Sequence, residues 1–218
     1  MNLGWLFNPS ILGFLAGGLL VTLELAVVSI AISFVLGVGL ALGRLSRFGI
    51  VRWPVTVYVE GMRALPVFLV ILFSYLALPR IIGFHLTPFV AGVVAMSAFT
   101  AALIAEIVRA GILAVPAGIV EAARSQGFRT VDRMRLIVLP IALRSMVPAL
   151  TAQFVTLLKD TSLTAVIGNL DLLRRAQIVD SQPPFEPIPV FALIALGYFA
   201  INYGLSLWSR RLETVARR

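Results

Sequence analysis

The residues able to do chemistry in this sequence are few, and those that stand out are charges set inside apolar runs. Glu60 and Arg63 lie one helical turn apart, and Glu106 and Arg109 repeat that spacing. An ionised side chain at the centre of a membrane helix costs about 2.5–3.5 kcal/mol on insertion scales, so such groups pair or line a polar cavity. Two readings stay open for these four. They form two separate intrahelical ion pairs near an interface, or one network across helices that changes partners as the protein opens and closes.

Lys159-Asp160-Thr161-Ser162 is a second constellation, placed directly after the apolar run Phe154 to Leu158. Adjacent residues on a helix point about 100° apart, so Lys159 and Asp160 cannot face each other. Asp160, Thr161 and Ser162 are all favourable N-cap types. The expectation is a helix that breaks here and restarts toward Ile167, offering free N–H groups to an anionic group. A kink sealed by hydroxyls, with Lys159 reaching the outer interface, is the alternative. Glu24, also in an apolar run, has no evident partner.

Catalysis finds no support in these residue types. There is no Cys and a single His, His85, expected in an outside loop as an interfacial residue. No H-E-x-x-H and no G-x-x-x-x-G-K-[ST] occurs, so no catalytic residue, no metal site and no bound nucleotide are expected of this chain.

The elements that position these charges follow from composition. The chain is 60% hydrophobic and 13% charged, with a mean hydropathy of +1.00. Apolar runs of about 18 residues or more read as membrane spans. Five are expected, over residues 11–43, 54–78, 88–115, 136–167 and 188–208, giving an all-α integral membrane protein of one domain over residues 1–218. The first is too long for one bilayer unless it is tilted or lies partly in the interface. Gly13 with Gly17, and Gly39 with Gly43, have the spacing of helix contacts.

Topology follows from the basic residues. With the N-terminus outside, the inside segments hold Arg44, Arg47, Arg52, Arg124, Arg129, Arg133, Arg135, Arg210, Arg211, Arg217 and Arg218. The outside segments hold only Arg80, Arg174 and Arg175. The positive-inside rule selects this orientation, with the C-terminus cytoplasmic, and accounts for the net charge of +8 without nucleic acid. Met1 to Ser10 carry no basic residue, so the first span is expected to be retained rather than cleaved.

The longest polar stretch, residues 116–135, lies inside. Pro116 suits a first helical turn and Gly127 a C-terminal stop. Between them Glu121, Arg124 and Ser125 share one face of a helix too short to span anything, and Ala122 and Ala123 offer a close-approach surface. A second short helix is expected from Thr130.

Glu121-Ala122-Ala123, followed after three residues by Gly127 and after nine more by Ile137-Val138-Leu139-Pro140, resembles the EAA loop of permease subunits of bacterial ATP-binding-cassette importers. Tyr58-Val59-Glu60-x-x-Arg63-x-x-Pro66, Ala105-Glu106-Ile107-x-Arg109 and Lys159-Asp160-Thr161-Ser162-Leu163 are similar to the polar amino acid uptake branch. Arg63-Ala64-Leu65-Pro66 departs from the branch's usual Arg-Gly-Thr-Pro. The resemblance implies a type I importer permease fold in a bacterial cytoplasmic membrane. It implies a second permease subunit, identical or related, and a cytoplasmic ABC ATPase dimer that binds ATP and Mg and grips Glu121, Ala122, Ala123 and Gly127. It also implies an external solute-binding protein that delivers an amino acid. On that reading Lys159, Asp160, Thr161 and Ser162 border the substrate pathway, with Asp171 as an outer gate. An ion-coupled secondary transporter is the competing reading, and it predicts internal repeats that the sequence lacks.

Overall fold

A computed structural model describes residues 8–182 and 186–216. Arg217 and Arg218 of the topology argument, and the first seven residues, lie outside them. The first helix, α1 (Pro9–Arg44), starts under Asn8, whose side chain accepts the Ser10 N–H, with Pro9 in the first turn. Its 36 residues extend about 54 Å, well beyond a hydrocarbon core of about 30 Å. Its buried residues include Gly18, Thr22, Ala26, Ser29, Ser33, Gly37 and Ala41, a stripe of small side chains at three- and four-residue spacing. The later part of this stripe packs against the long α5 (Pro88–Leu113), where a Cβ on Gly37 would meet the Ile104 Cβ at 2.7 Å. The expected contact glycines Gly13 and Gly39 instead face open space, while Gly17 meets Arg175 and Gly43 meets Val55.

The segment expected as one second span is broken. It comprises α2 (Gly49–Ala64), α3 (Val67–Leu76) and a short α4 (Leu78–Ile82), with a bend of 107° between α2 and the α3–α4 pair. Pro66 is the cause: it disfavours helical geometry at the residue before it, and Leu65 is extended at φ −91° and ψ 144°.

After α5 come α6 (Ala117–Ser125) and α7 (Thr130–Arg133). Pro116 caps α6 rather than entering its first turn. The second short helix is not separate from the fourth span. From α7 the chain passes through a π-helical turn (Met134–Val138) into α8 (Leu139–Asp160) without a break. The wider turn sits just ahead of Pro140, where an α-helical path would bring the proline ring against a carbonyl.

No restart occurs at Lys159-Asp160. The helix tightens into a 3-10 turn (Thr161–Ile167) in which the Thr161 N–H still bonds back to Leu157. It ends at Gly168, in the left-handed region at φ 83°. Helix α9 (Leu172–Asp180) and the last helix, α10 (Pro187–Ala216), follow. Two of the four apolar cores among the described residues bear on the sites below. One, around Val59, Ile104, Val108 and Met146, joins α2, α5 and α8; the other, around Leu15, Leu172 and Ile194, joins α1, α9 and α10.

Candidate functional site

Arg44 closes the last turn of α1, where a cation suits the helix dipole, and its guanidinium reaches two other helices. It donates to Glu106 Oε2 on α5 at 2.6 Å and to Glu60 Oε1 on α2 at 2.8 Å. Arg63 lies 3.3 Å from Glu60 and 3.7 Å from Glu106, and Arg109 is 2.5 Å from Glu106. The structure thus brings Glu60, Arg63, Glu106 and Arg109 into one cluster while keeping both intrahelical pairs. Arg44, read from the sequence only as a loop charge, is the bridge; it is 11% exposed, against 54% for Glu60.

Farther along α1 is a polar knot made largely with backbone. Thr22 Oγ1 accepts the Leu172 N–H at 3.1 Å, the first of α9, and donates to the Gly18 carbonyl at 3.1 Å. Asn169 Nδ2 donates to Thr164 Oγ1 at 2.9 Å. Asp171 is wholly buried and caps α9 by accepting the Arg174 N–H at 2.8 Å. In this structure it is closed off from solvent. Burial pushes its carboxyl up to about 7, against the opposing pull of that N–H and the Arg174 guanidinium. Arg175 donates to the Phe14 carbonyl at 2.8 Å and lies over the Phe14 ring.

The residues expected along the pathway do not converge. Ser162 lines a cavity of about 520 Å³ together with Phe68, Leu163, Val166, Arg174 and Gln177. Lys159 lines a different cavity, of about 340 Å³, with Tyr198, Asn202 and Tyr203 of α10. Asp160 is half-buried at the end of α8, and Thr161 is wholly buried. The hydroxyls of Thr161 and Ser162 donate to the carbonyls of Leu158 and Lys159 at 2.7 and 2.8 Å. The open helix start proposed for an anion is therefore absent here. Arg174 and Gln177, bonded at 3.2 Å, supply the cavity's polarity instead. Their spacing on a short polar helix was the available signal.

Helix α6 stands apart. Gly127 takes φ 82°, its N–H donates to the Arg124 carbonyl at 3.1 Å, and the Phe128 N–H reaches Ala123 at 3.2 Å. This paired closure is a Schellman stop, and it requires the left-handed residue that glycine supplies. Glu121, Ala122, Arg124 and Ser125 are exposed. Ala123 is 4% exposed and faces the protein's own packing, so only Ala122 offers the small outer surface. Beside the stop, Gln126, Phe128, Arg129, Asp132 and Leu136 surround a cavity of about 450 Å³.

The sequence from residues 33–218 matches the family described as binding-protein-dependent transport system inner membrane component. The chain is 43% identical over 209 residues to the probable glutamine ABC transporter permease protein GlnP of Bacillus subtilis, covering 95% of each. It is 35% identical over 205 residues to the glutamate/aspartate import permease protein GltK of Escherichia coli, covering 90% of each. Its fold superposes on a chain of a crystal structure of an amino acid ABC transporter with histidines at a TM-score of 0.90, with 31% identity and 98% of this chain covered. A chain of the inward-facing MetNI methionine ABC transporter shares the fold at a TM-score of 0.80 and 22% identity, over 96% of this chain. The chain belongs to the family of inner-membrane components of binding-protein-dependent transport systems and has the fold of a type I ABC importer permease.

Proposed function

We propose that this chain forms the transmembrane pathway of an ATP-driven amino acid importer and passes the stroke of a separate ATPase to that pathway through α6. The observation that carries this reading is α6 itself, a rigidly capped helix whose charged face is exposed and which touches the rest of the chain mainly through α7 and the π-helical turn. The arginine-rich end is cytoplasmic, so the N-terminus is outside and the C-terminus inside. An ABC ATPase dimer holds ATP and Mg and grips Glu121, Ala122 and Gly127, with Ala123 supporting the helix from behind. A second permease subunit completes the pathway, and an external solute-binding protein delivers the substrate. ATP can shift the inward-open to outward-open balance only if the ATPase grips the helix differently in the two states.

Every amino acid carries a carboxylate, and Arg174 in the 520 Å³ cavity offers a guanidinium for it. Lys159 and Asp160 are assigned to the neighbouring stretch of the route.

The test is reconstitution of Glu121→Lys and Gly127→Val with the ATPase. The first reverses a docking charge, and the second forces a β-branched residue into the left-handed region. Both variants should insert normally and capture the ATPase at least about tenfold more weakly, a loss of about 1.4 kcal/mol or more. Transport should fall with capture. Normal capture and uptake in both variants would remove α6 as the coupling element.

A further inference from the structure

Between α1 and α2 the chain presents a patch that neither the pathway nor the coupling helix uses. Phe48, Ile50 and Trp53 are 72%, 87% and 72% exposed, and Val51 and Val57 extend the apolar surface along α2. Only Val59 of α2 is buried. Arg47 and Arg52 flank these residues, both exposed, and among the described residues neither side chain has an ion-pair partner. The contrast with Arg44, Arg63 and Arg109 at the same end of the bundle is direct, since each of those is held by a carboxylate.

Exposed aromatics beside unpaired guanidiniums suit one environment, the boundary between headgroups and acyl chains. Aromatic rings with a polar edge settle at that level, and guanidiniums on apolar stems reach outward to phosphates. The exposed face of α1, including Val35, Leu36 and Leu42, carries an apolar surface down to the turn. A water-facing loop would not keep three large apolar side chains so exposed. A protein partner would be expected to meet the two arginines with carboxylates.

We propose that residues 45–53 bind anionic phospholipid of the inner leaflet, with Arg47 and Arg52 on the headgroup phosphates and Phe48, Ile50 and Trp53 among the upper acyl chains. The proposal shares the orientation argued above but does not depend on the coupling or pathway assignments, and its readout involves no transport.

The full-length chain contains three tryptophans, so Trp5→Phe with Trp208→Phe leaves Trp53 as the reporter. The same chain with Trp53→Phe supplies the background. Reconstituted in nanodiscs, it is titrated with phosphatidylglycerol or phosphatidylcholine carrying brominated acyl chains, which quench tryptophan on contact. Each arginine near an anionic leaflet contributes about fivefold, so Trp53 should favour the brominated phosphatidylglycerol by on the order of tenfold or more. Arg47→Gln with Arg52→Gln should bring the two lipids to parity, and Arg47→Lys with Arg52→Lys should retain most of the preference. Equal quenching by both lipids in the chain with its arginines would overturn anionic recognition. No quenching by either lipid would show that a protein surface covers the patch, and would overturn the proposal as well.

Discussion

Two polar clusters tie α1 to its neighbours, and they are built differently. Arg44, at the end of α1, joins Glu60, Arg63, Glu106 and Arg109 through bonds between charged side chains, all partly open to solvent. Thr22, about 33 Å back along the same helix, accepts the Leu172 N–H, and the buried Thr164, Asn169 and Asp171 in the adjoining segment bond largely to backbone groups. In the first cluster Glu106 has three guanidiniums within 4.0 Å, so one contact can be exchanged for another without orphaning a group. In the second, releasing Thr22 leaves the Leu172 N–H buried and unpaired, at about 1–3 kcal/mol. The difference separates a cluster with spare partners, the latch, from one without, the pivot.

The largest effect should come from crowding the pivot. A Cβ on Gly18 would meet the Asp171 carbonyl oxygen at 2.9 Å and the Leu172 Cα at 3.0 Å, both backbone atoms that cannot rotate away. Gly18→Val should cost on the order of 3 kcal/mol and appear as a large loss of folded protein in detergent. Gly118→Ala, with nothing within 4 Å of its Cβ, should leave yield and melting temperature unchanged or slightly raised. Equal yields for the two variants would show that the knot is not a tight contact.

The latch should respond less, and unevenly. Glu106→Gln leaves Arg44, Arg63 and Arg109 with only Glu60 to share, whereas Glu60→Gln leaves Glu106 in place. After allowance for partial exposure, Glu106→Gln should cost about 2 kcal/mol and Glu60→Gln below about 1 kcal/mol, measured by thermal unfolding. Equal losses would favour two independent intrahelical pairs over a shared cluster.

These clusters differ as much in legibility as in construction. The latch announces itself because charges in apolar runs are costly, and the i,i+3 spacing pairs Glu60 with Arg63 and Glu106 with Arg109 before any packing is known. Arg44 was lost because an arginine at a helix end already has a full explanation as a topological signal. In the knot Asp171 is the one charged residue, and Thr164 and Asn169 near it in sequence are neutral side chains that cost little in either environment, so composition alone does not mark them. Lys159-Asp160-Thr161-Ser162 misled for a related reason. Asp160, Thr161 and Ser162 are good cap types, yet the hydroxyls of Thr161 and Ser162 bond the carbonyls three residues back and the helix runs on to Gly168. The five apolar runs and the short loop helix were readable because hydropathy and Pro/Gly punctuation are local properties. The 107° bend at Pro66 was not, since both arms are apolar enough to pass as one span.

The finest test asks whether the pivot is a neutral structure at all. Asp171 carries its only formal charge at the core, and burial holds that carboxyl near 7, far above the unfolded value of about 3.9. A carboxyl whose pKa is raised on folding is bound to its proton more tightly in the folded state, so its contribution is full below about pH 4 and is lost as pH rises through about 7. Asp171→Asn keeps an oxygen able to accept the Arg174 N–H and carries no charge at any pH. At pH 5 the variant should therefore melt within about 1 kcal/mol of the parent protein. From pH 5 to pH 8 the parent protein should lose ground steadily to the variant, while Asp171→Ala, which lacks the cap, should stay below Asp171→Asn throughout. A parent protein that instead gains on the asparagine variant as pH rises would mean that the carboxylate is stabilised in its charged form. The knot would then be ionic like the latch, and the contrast between the two ends of α1 would be lost.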